Sequence, residues 1–467
     1  MIATSLARVA EVTGGRLQAD PDRTVDGPVS VDSRQVRPGG LFVALPGAHV
    51  DGHDFVPAAL AAGALAALVT RPVPGPHILV DDATAALGRL ARDVVDRAPA
   101  LTTVAVTGSS GKTTTKDLLA VTAPRIGPTV AAAGSFNNEI GAPLTALRVA
   151  ADTRVLVMEM GARGVGHIRY LCQLTPPTIG VVLNVGSAHL GEFGSREAIA
   201  AAKGELVEAL PPDGLAVLNV DDPLVAAMRS RTAARVVGFG EHPGADVRAV
   251  DVRLDPQGRP AFRLVTPAGE APVRLRLYGE HHVTNALATA AVLGELGLAP
   301  DAVAAALEGA SPASRWRMEV HTRPDGVTVI NDAYNANPES MRAALKALAS
   351  MAGGRRTWAV LGQMLELGAD EVAEHDAIGR LAVRLNISRL VAVGEGARPL
   401  YLGAALEGSW SNEATWVPDA DAATALLAAE LAPGDLVLVK ASRAVSLERV
   451  AEALLGQAGG AGGDATS

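Results

Sequence analysis

The feature that most constrains this chain is a glycine-rich loop between an apolar run and a helix-forming segment, at residues 101–118 (LTTVAVTGSSGKTTTKDL). Residues 101–106 predict a β-strand, and Lys112 begins a segment that predicts a helix. The N–H groups of such a loop and of the helix N-terminus bind phosphate oxygens, while the lysine reaches the terminal phosphates and the following hydroxyl can bind Mg²⁺. The layout therefore predicts a nucleotide-triphosphate site in an α/β domain.

The loop departs from the full G-x-x-x-x-G-K-[ST] pattern because Val106 stands where the first glycine would be. The alternative interpretation is a Gly-Ser turn that caps an ordinary helix, but a strand before the loop and a helix after it favour the nucleotide site. We expect the loop and the first helical residues to contact ATP: Gly108, Ser109, Ser110, Gly111, Lys112, Thr113 and Thr114.

Composition excludes several classes of protein. The net charge of −9 argues against a broad nucleic-acid surface, and the single cysteine, Cys172, excludes a disulfide framework. We find no signal peptide, and the longest apolar run, residues 58–69, is too short to span a bilayer and predicts a buried helix followed by a strand. The sequence predicts a cytoplasmic protein without membrane insertion.

Alternating strand and helix patterns predict an α/β fold of three domains. Residues 1–98 form a small α/β domain, residues 99–314 a central P-loop-type domain with a mostly parallel sheet, and residues 315–456 a Rossmann-like doubly wound domain. Within the central domain, residues 236–277 suggest several short antiparallel strands. The Gly/Ala-rich tail, residues 457–467, is predicted to be disordered.

Several polar residues of the central domain follow predicted strands. Glu159 ends the strand after the loop helix, where Mg²⁺–nucleotide enzymes place a metal ligand or a water-positioning acid. His189 lies past the end of the next strand, and it is either a metal or phosphate ligand or a polar loop residue. The chain has only five lysines, so the surviving ones are enriched for roles that need a compact amine. One of them, Lys203, lies on an alanine-rich helix that could equally present it to solvent.

In the first domain, Ser33 and Arg34 come directly after a strand-like stretch. They could bind a phosphate or a pyrimidine. A solvated turn explains them equally well.

Taken together, the motifs resemble the Mur ligase family, the ATP-dependent amide-forming enzymes of bacterial cell-wall precursor synthesis. They occur in the family's order along nearly the whole chain: TGSSGKTTTK, SFNNEIGAPLT, EMGA, NVGSAHL, EFGS, the Lys203 segment, GEHHVTNALAT and INDAYNANPESM. The forms SFNNEIG and DAYNANPESM resemble the members that add D-alanyl-D-alanine to UDP-N-acetylmuramoyl-tripeptide. The Asp-Asn-Pro-Arg signature of the members that add the third residue is absent.

The resemblance implies a role for most of the motif residues. ATP phosphorylates the tripeptide carboxyl to an acyl phosphate, which the dipeptide amine attacks. Thr113 and Glu159 would hold one Mg²⁺, and a carbamylated Lys203 with His189 would position a second. Asn138, Asn285, Arg317 and Asp332 match positions that contact the nucleotide. Ser33 and Arg34 lie in the segment that receives the uridine diphosphate end, and Asn335, Asn337, Ser442 and Arg443 are candidates for contact with the dipeptide.

We also expect a monomer whose partners are these small-molecule substrates. Two other functions remain open at this point. One is a Mur-type ligase that adds a different amino acid. The other is a P-loop ATPase that hydrolyses ATP to move its domains.

Overall fold

The structure is a computed structural model that describes residues 1–47, 50–187, 190–311, 314–408 and 413–456. It confirms the predicted α/β fold with three domains. The predicted disordered tail lies outside the described residues, as does His189. Within the described ranges, no helix has the length and apolar character that a bilayer crossing needs.

The N-terminal domain is built on a five-stranded sheet with helices packed against it. Its sheet runs in the order Arg16–Gln18, His77–Leu79, Ala66–Val69, Leu41–Val43, Val29–Ser30, and only the first pairing is antiparallel. Thr4–Ser5 and Thr24–Val25 form a separate antiparallel pair. The helices are Leu6–Thr13, Val56–Ala61 and Ala83–Asp96. Asp82 caps the longest helix by accepting hydrogen bonds from the N–H groups of Thr84 and Ala85.

The central domain contains a nine-stranded sheet in which the strand before the glycine loop lies deep inside. The strand order is Gly269–Arg274, Pro260–Thr266, Val247–Leu254, Arg235–Gly240, Leu215–Asn219, Ile179–Val182, Thr102–Thr107, Val155–Glu159, Thr129–Ala131. The helices are Lys112–Thr122, Gly141–Ala146, His167–Leu174, Leu190–Phe193, Arg196–Glu208, Pro223–Ala226, His282–Glu295 and Pro300–Gly309. Because neighbouring strands are parallel, their carboxyl ends bring residues 107–111, 159 and 184 to one edge.

One strand prediction in this domain was wrong in part. Residues 236–277 were expected to form several short antiparallel strands, but Arg235–Gly240 pairs in parallel with Leu215–Asn219 and with Val247–Leu254. Only the last two pairings, to Pro260–Thr266 and then Gly269–Arg274, are antiparallel. The alternating pattern marks these half-buried strands correctly, but alternation does not determine strand direction.

The C-terminal domain is the expected doubly wound sheet with an additional antiparallel edge. The order is Glu319–Thr322, Thr328–Asn331, Leu436–Lys440, Thr357–Leu361, Arg389–Val393, Ala414–Val417, and only the first pairing is antiparallel. The helices are Pro338–Met351, Glu371–Arg384, Arg398–Glu407, Ala420–Glu430 and Glu448–Leu454. The sequence analysis did not find Glu319–Thr322, Arg398–Glu407 or Ala414–Val417.

The domains meet in two different ways. One apolar core runs from the N-terminal domain into the central domain, with Leu87 and Leu90 in the same cluster as Met158 and Ile168. Within the described ranges, the C-terminal domain shares no cluster of buried apolar residues with the central domain. It contacts that domain through Tyr278, which is half-buried against the C-terminal core, and through polar and backbone contacts such as the hydrogen bond from Gly191 N–H to the Glu366 carbonyl (3.2 Å). Polar interfaces of this kind separate more easily than apolar ones, so the second junction is the one suited to opening and closing.

Candidate functional site

A cleft of about 1320 Å³ lies between the central and C-terminal domains. It is lined by most of the residues singled out from the sequence: Ser109, Ser110, Gly111, Lys112, Thr113, Asn138, Glu159, Lys203, Asn285, Arg317, Asp332, Asn335, Asn337, Ser442 and Arg443. A large, partly enclosed cleft between domains with many polar groups is the default place for a ligand.

The glycine loop is held in shape before any ligand arrives. Asn184 braces it, because the Asn184 carbonyl accepts from Ser109 N–H (3.1 Å) and its Oδ1 accepts from Ser110 N–H (2.9 Å). Gly111 begins the helix in the left-handed conformation (φ 81°). A Cβ at Gly111 would lie 2.4 Å from Asn285 Oδ1, so only glycine fits there.

Lys112 is folded over the loop. Its Nζ donates to the Gly108 carbonyl (2.7 Å), and the side chain is partly buried on the cleft wall. Burial is the main cause that lowers its pKa; Arg317 lowers it further, and Glu159 opposes them. An incoming anion would replace the carbonyl as partner of the amine and favour its charged form.

Glu159 lies at the end of its strand and is only 1% exposed. Its Oε2 accepts from the Thr113 hydroxyl (2.8 Å), and its Oε1 accepts from the Asn137 amide (2.7 Å). Ser135 Oγ lies 3.3 Å from Thr113 Oγ1 and accepts from Arg317 Nη2 (3.1 Å). Carboxylate and hydroxyl oxygens beside a phosphate-binding loop are the donor set that suits Mg²⁺.

The adjacent amide side chains of Asn137 and Asn138 have different roles. Asn137 contacts Glu159, whereas Asn138 Oδ1 accepts from Gly141 N–H (2.9 Å) at the start of the next helix while the residue also lines the cleft. Sequence reasoning named only Asn138. The adjacency of the two amides was the available signal, but it does not say which one faces the carboxylate.

Lys203 is 4% exposed on the helix Arg196–Glu208, whose N-terminus is capped by Ser195. The structure thus excludes the solvent-exposed alternative. No described residue gives its amine a hydrogen bond or an ion pair, and burial, followed by the nearby charge of Lys112, lowers its pKa well below the usual value. Burial thus favours the uncharged form of this amine in the cleft wall. His189, the expected neighbour, lies outside the described residues.

The far end of the cleft contains two histidines, the half-buried His281 and the buried His282, that the sequence analysis did not assign. Asn285 Oδ1 accepts from Thr115 Oγ1 (3.3 Å), and its amide lies 3.2 Å from His282 Nδ1. Burial lowers the pKa of His281 to about 4 and that of His282 well below its usual value. Both imidazoles are neutral near pH 7, so they can donate and accept hydrogen bonds without adding charge.

The C-terminal wall carries an ion pair. Lys440, 2% exposed, donates to Asp332 Oδ2 (2.7 Å) and to the Asn335 carbonyl (2.8 Å). Asp332 Oδ1 accepts from Met318 N–H (3.1 Å), and the neighbouring Arg317 stacks over Tyr334 at 4.1 Å. Asp332 is therefore fixed by residues of its own domain before a nucleotide binds.

Of the four dipeptide candidates, two make bonds that shape the protein. Asn337 caps the helix Pro338–Met351 and donates to the Ser109 carbonyl (3.4 Å), and the Ser442 hydroxyl accepts from Leu365 N–H (2.9 Å). Arg443 pairs with Glu448 (2.6 Å) and keeps 41% of its side chain exposed, and Asn335 is exposed. The last two remain free enough to meet a ligand.

Ser33 and Arg34 are not part of the cleft lining. They form a short 3₁₀ turn in the N-terminal domain, where Arg34 pairs with Asp32 (2.8 Å) and keeps 73% of its side chain exposed. Gly108 and Thr114 are also not among the residues that line the cleft. A uridine diphosphate site at Ser33 and Arg34 therefore stays a prediction about a second region.

Comparison with known proteins places the whole chain in one family. Family models match three consecutive segments: "Mur ligase family, catalytic domain" at residues 28–95, "Mur ligase middle domain" at 106–293, and "Mur ligase, glutamate ligase domain" at 316–443. A UDP-N-acetylmuramoyl-tripeptide–D-alanyl-D-alanine ligase of Mycobacterium tuberculosis is 52% identical, with 97% of this chain and 98% of the relative covered.

Solved structures agree along the full length. A crystal structure of MurF from Acinetobacter baumannii matches with a TM-score of 0.88 at 32% identity, covering 97% of this chain and 99% of that one. The MurF ligase of Thermotoga maritima, solved in complex with ADP, matches with a TM-score of 0.81 at 31% identity, covering 93% and 98%. With the glycine loop, the carboxylate at its strand end and the buried lysine in a single cleft, these matches show that the chain belongs to the Mur ligase family.

Proposed function

We propose that this chain is an ATP-dependent ligase that joins D-alanyl-D-alanine to the C-terminal carboxyl of UDP-N-acetylmuramoyl-tripeptide. The observation that carries the proposal is the full-length similarity to enzymes of that name, at 52% identity, combined with a cleft whose two walls come from different domains. Neither alternative function accounts for both. A switch ATPase needs no second wall, and the relatives that cover the whole chain at high identity add this dipeptide.

The chemistry requires a phosphoryl transfer followed by an acyl transfer. A carboxylate does not acylate an amine unaided, so the terminal phosphate of ATP is first transferred to the tripeptide carboxyl. The dipeptide amine then attacks the acyl carbon, and the tetrahedral intermediate expels phosphate. The protein holds the three substrates in line and excludes the water that would hydrolyse the acyl phosphate.

The loop and its neighbours supply the electrostatics of the first step. The N–H groups of Gly111 and Lys112 would face the phosphates, since those of Ser109 and Ser110 donate to Asn184. The Lys112 amine would leave the Gly108 carbonyl, which it contacts at 2.7 Å, to meet the terminal phosphate. Arg317 reaches the same place from the C-terminal domain through Ser135, so this charge arrives when the domains are closed. The ADP found in the Thermotoga maritima structure supports a nucleotide here.

The donor set beside the loop fits Mg²⁺. Thr113 and Glu159 would hold one ion, with phosphate oxygens as further ligands, and Mg²⁺ would neutralise the charge that develops on the phosphates. No group of three or more His, Cys, Asp or Glu side chains converges within the described residues, as suits an ion that takes few ligands from the protein. Glu159 keeps both oxygens fixed by Thr113 and Asn137.

Lys203 fits the carbamate that the family resemblance implies. A neutral amine attacks CO₂, and the product is an N-carboxylate anion and one released proton. Burial favours that neutral form of Lys203, whose amine has no protein partner among the described residues. The carbamate, with His189, would supply hard oxygen and nitrogen ligands for a second Mg²⁺.

We further propose that Ser33 and Arg34 bind the uridine diphosphate end, that Asn285 and Asp332 contact the nucleoside, and that Arg443 and Asn335 contact the dipeptide. The enzyme would act in the cytoplasm as a monomer, at a late step of peptidoglycan precursor synthesis. The three domains would be residues 1–98, 99–314 and 315–456.

A phosphate-release assay tests the proposal. We expect phosphate only when ATP, the UDP-linked tripeptide and D-alanyl-D-alanine are all present, in amounts equal to the ligated product. The matched omissions each remove one substrate. ATP hydrolysis that ignores both peptide substrates would contradict the proposal, and so would equal turnover when the dipeptide is replaced by a single amino acid.

A further inference from the structure

The C-terminal domain places one carboxylate against the central domain. Glu339 Oε1 accepts from the backbone N–H of Ser187 (2.8 Å) and from its hydroxyl (2.9 Å). Gly186 permits this approach, since a Cβ there would lie 2.7 Å from the Glu339 carboxyl carbon. The contact joins the two walls of the cleft, and Glu339 itself lines that cleft.

The second oxygen of the same carboxylate has a different environment. Glu339 Oε2 is buried, and no described residue donates a hydrogen bond to it. A buried carboxylate oxygen without a donor destabilises the protein, so it calls for a cation or a donor from elsewhere. The N-terminus of the helix Pro338–Met351 favours a negative charge in its first turn, but it gives Oε2 no hydrogen bond.

The position of Glu339 indicates which cation would bind Oε2. Asn337, two residues earlier, donates to the Ser109 carbonyl (3.4 Å), and Ser109 Oγ accepts from Gly186 N–H (2.8 Å). Glu339 therefore lies beside the phosphate loop, where the acyl phosphate would form. The amine that must arrive at that point is an ammonium ion before it reacts.

Resting on the proposed function, we propose that Glu339 binds the α-ammonium group of the incoming D-alanyl-D-alanine through Oε2. Its hydrogen bonds to Ser187 fix the carboxylate, so the dipeptide amine is held at the loop only when the domains are closed. The exposed guanidinium of Arg443 on the same cleft is available for the carboxylate at the other end of the dipeptide. The closed cleft thereby selects a zwitterionic nucleophile.

Two variants separate ligand binding from the interdomain contact. Glu339→Gln has the same shape and keeps an oxygen that can accept from Ser187, but it removes the charge and turns an N–H donor toward the ammonium. Ser187→Ala removes one of the two hydrogen bonds to Oε1 and leaves the carboxylate charged. A role confined to domain closure would make the second variant at least as harmful as the first.

The experiment measures KM and kcat for all three substrates in the full-length enzyme. We expect Glu339→Gln to raise the KM for D-alanyl-D-alanine roughly 30-fold while the KM for ATP and for the UDP-linked tripeptide stays within about twofold. Ser187→Ala should move the dipeptide KM less than about threefold. Hydroxylamine, which is uncharged near neutral pH and traps acyl phosphates, should react at the same rate in Glu339→Gln and in the unaltered enzyme.

Several results would overturn the inference. One is an unchanged dipeptide KM in Glu339→Gln. Another is a loss of rate with hydroxylamine that equals the loss of rate with the dipeptide, which would indicate a role in domain closure or phosphoryl transfer. A raised Mg²⁺ requirement in the Mg²⁺ titration of Glu339→Gln would assign Oε2 to the metal instead. If the unaltered enzyme forms hydroxamate but Glu339→Gln shows one of these results, only the inference fails. If the unaltered enzyme forms neither hydroxamate nor ligated product, the proposed function itself fails.

Discussion

The two walls of the cleft each contain a buried lysine, and the two lysines are in opposite situations. On the central wall, Lys203 is 4% exposed, and no described residue pairs with its amine. On the C-terminal wall, Lys440 is 2% exposed and donates to Asp332 at 2.7 Å. The two side chains are buried to nearly the same degree, so they differ in whether a carboxylate pairs with the amine.

The partner determines what each amine can do. A buried amine without a carboxylate loses its proton, and a neutral amine is a nucleophile and can form a carbamate. A buried amine that is hydrogen-bonded to a carboxylate has a fixed partner and becomes part of the scaffold. The central wall is therefore arranged for chemistry, and the C-terminal wall for holding Asp332 and the loop that follows it.

The largest expected effect is at Lys203. Lys203→Ala should lower kcat by roughly 1000-fold, because the anionic ligand that the carbamate provides is lost, while the circular dichroism spectrum stays unchanged. A short carboxylic acid such as acetate should restore part of the rate. The matched control is Lys346→Ala, since Lys346 is the exposed lysine on the helix Pro338–Met351. Full activity in Lys203→Arg would show that the carbamate is not needed.

Breaking the pair on the other wall should act on stability first. Lys440→Met leaves the Asp332 carboxylate half-buried without its cation, which should destabilise the C-terminal domain by about 3 kcal/mol. The melting temperature should fall, and the KM for ATP should rise. The double variant Lys440→Met/Asp332→Asn should recover much of the stability and none of the ATP affinity. Equal stability of the single variant and the unaltered protein would mean that the pair does not hold this wall.

The contact between the walls can be tested without touching either lysine. Gly191 meets Gly368 so closely that a Cβ on Gly191 would lie 2.7 Å from the Gly368 nitrogen. Gly191→Val should oppose domain closure by about 1.4 kcal/mol, which is a tenfold loss of kcat/KM, while ADP binding to the loop stays unchanged by calorimetry. Gly294→Ala, on a helix with open space around it, is the control. A loss of ADP affinity equal to the loss of kcat/KM would place the defect in the loop instead.

The smallest effect concerns a third buried group, Cys172. Burial raises the pKa of this thiol to about 12, so at pH 8 only about one molecule in 10,000 carries the thiolate. Iodoacetamide should leave the native protein unmodified at pH 8, and the alkylation rate should rise about tenfold per pH unit above that. Rapid alkylation at pH 8, measured by mass spectrometry, would show that burial does not keep the Cys172 thiol protonated.

The sequence predicted the fold well because its signals are local. The strand predicted at residues 101–106 and the helix predicted from Lys112 are determined by short patterns, and the structure confirms both, as Thr102–Thr107 and Lys112–Thr122. The antiparallel edge strand Glu319–Thr322 is short, half exposed and gives almost no pattern. The direction of the strands within residues 235–254 could not be predicted either, because it depends on which distant strand is the neighbour.

The residues of the site also differ in whether local sequence patterns could reveal them. Lys112, Thr113 and Glu159 follow directly from the order strand, loop, helix, strand, and they lie in one cleft. Glu339 and Lys440 could not be assigned, because their roles arise from contacts over more than one hundred residues of sequence, to Ser187 and Asp332. Lys440 had one indirect signal, the rarity of lysine in an arginine-rich chain. Glu339 had none.

The most direct test of the whole account follows one oxygen atom. The tripeptide substrate is prepared with ¹⁸O in its terminal carboxyl, and the released phosphate is examined by ³¹P NMR. If the carboxylate attacks ATP to form an acyl phosphate, each phosphate released with ligated product carries one ¹⁸O. Phosphate without ¹⁸O at full product yield would contradict the account, because the carboxyl oxygen would then never have been bonded to phosphorus.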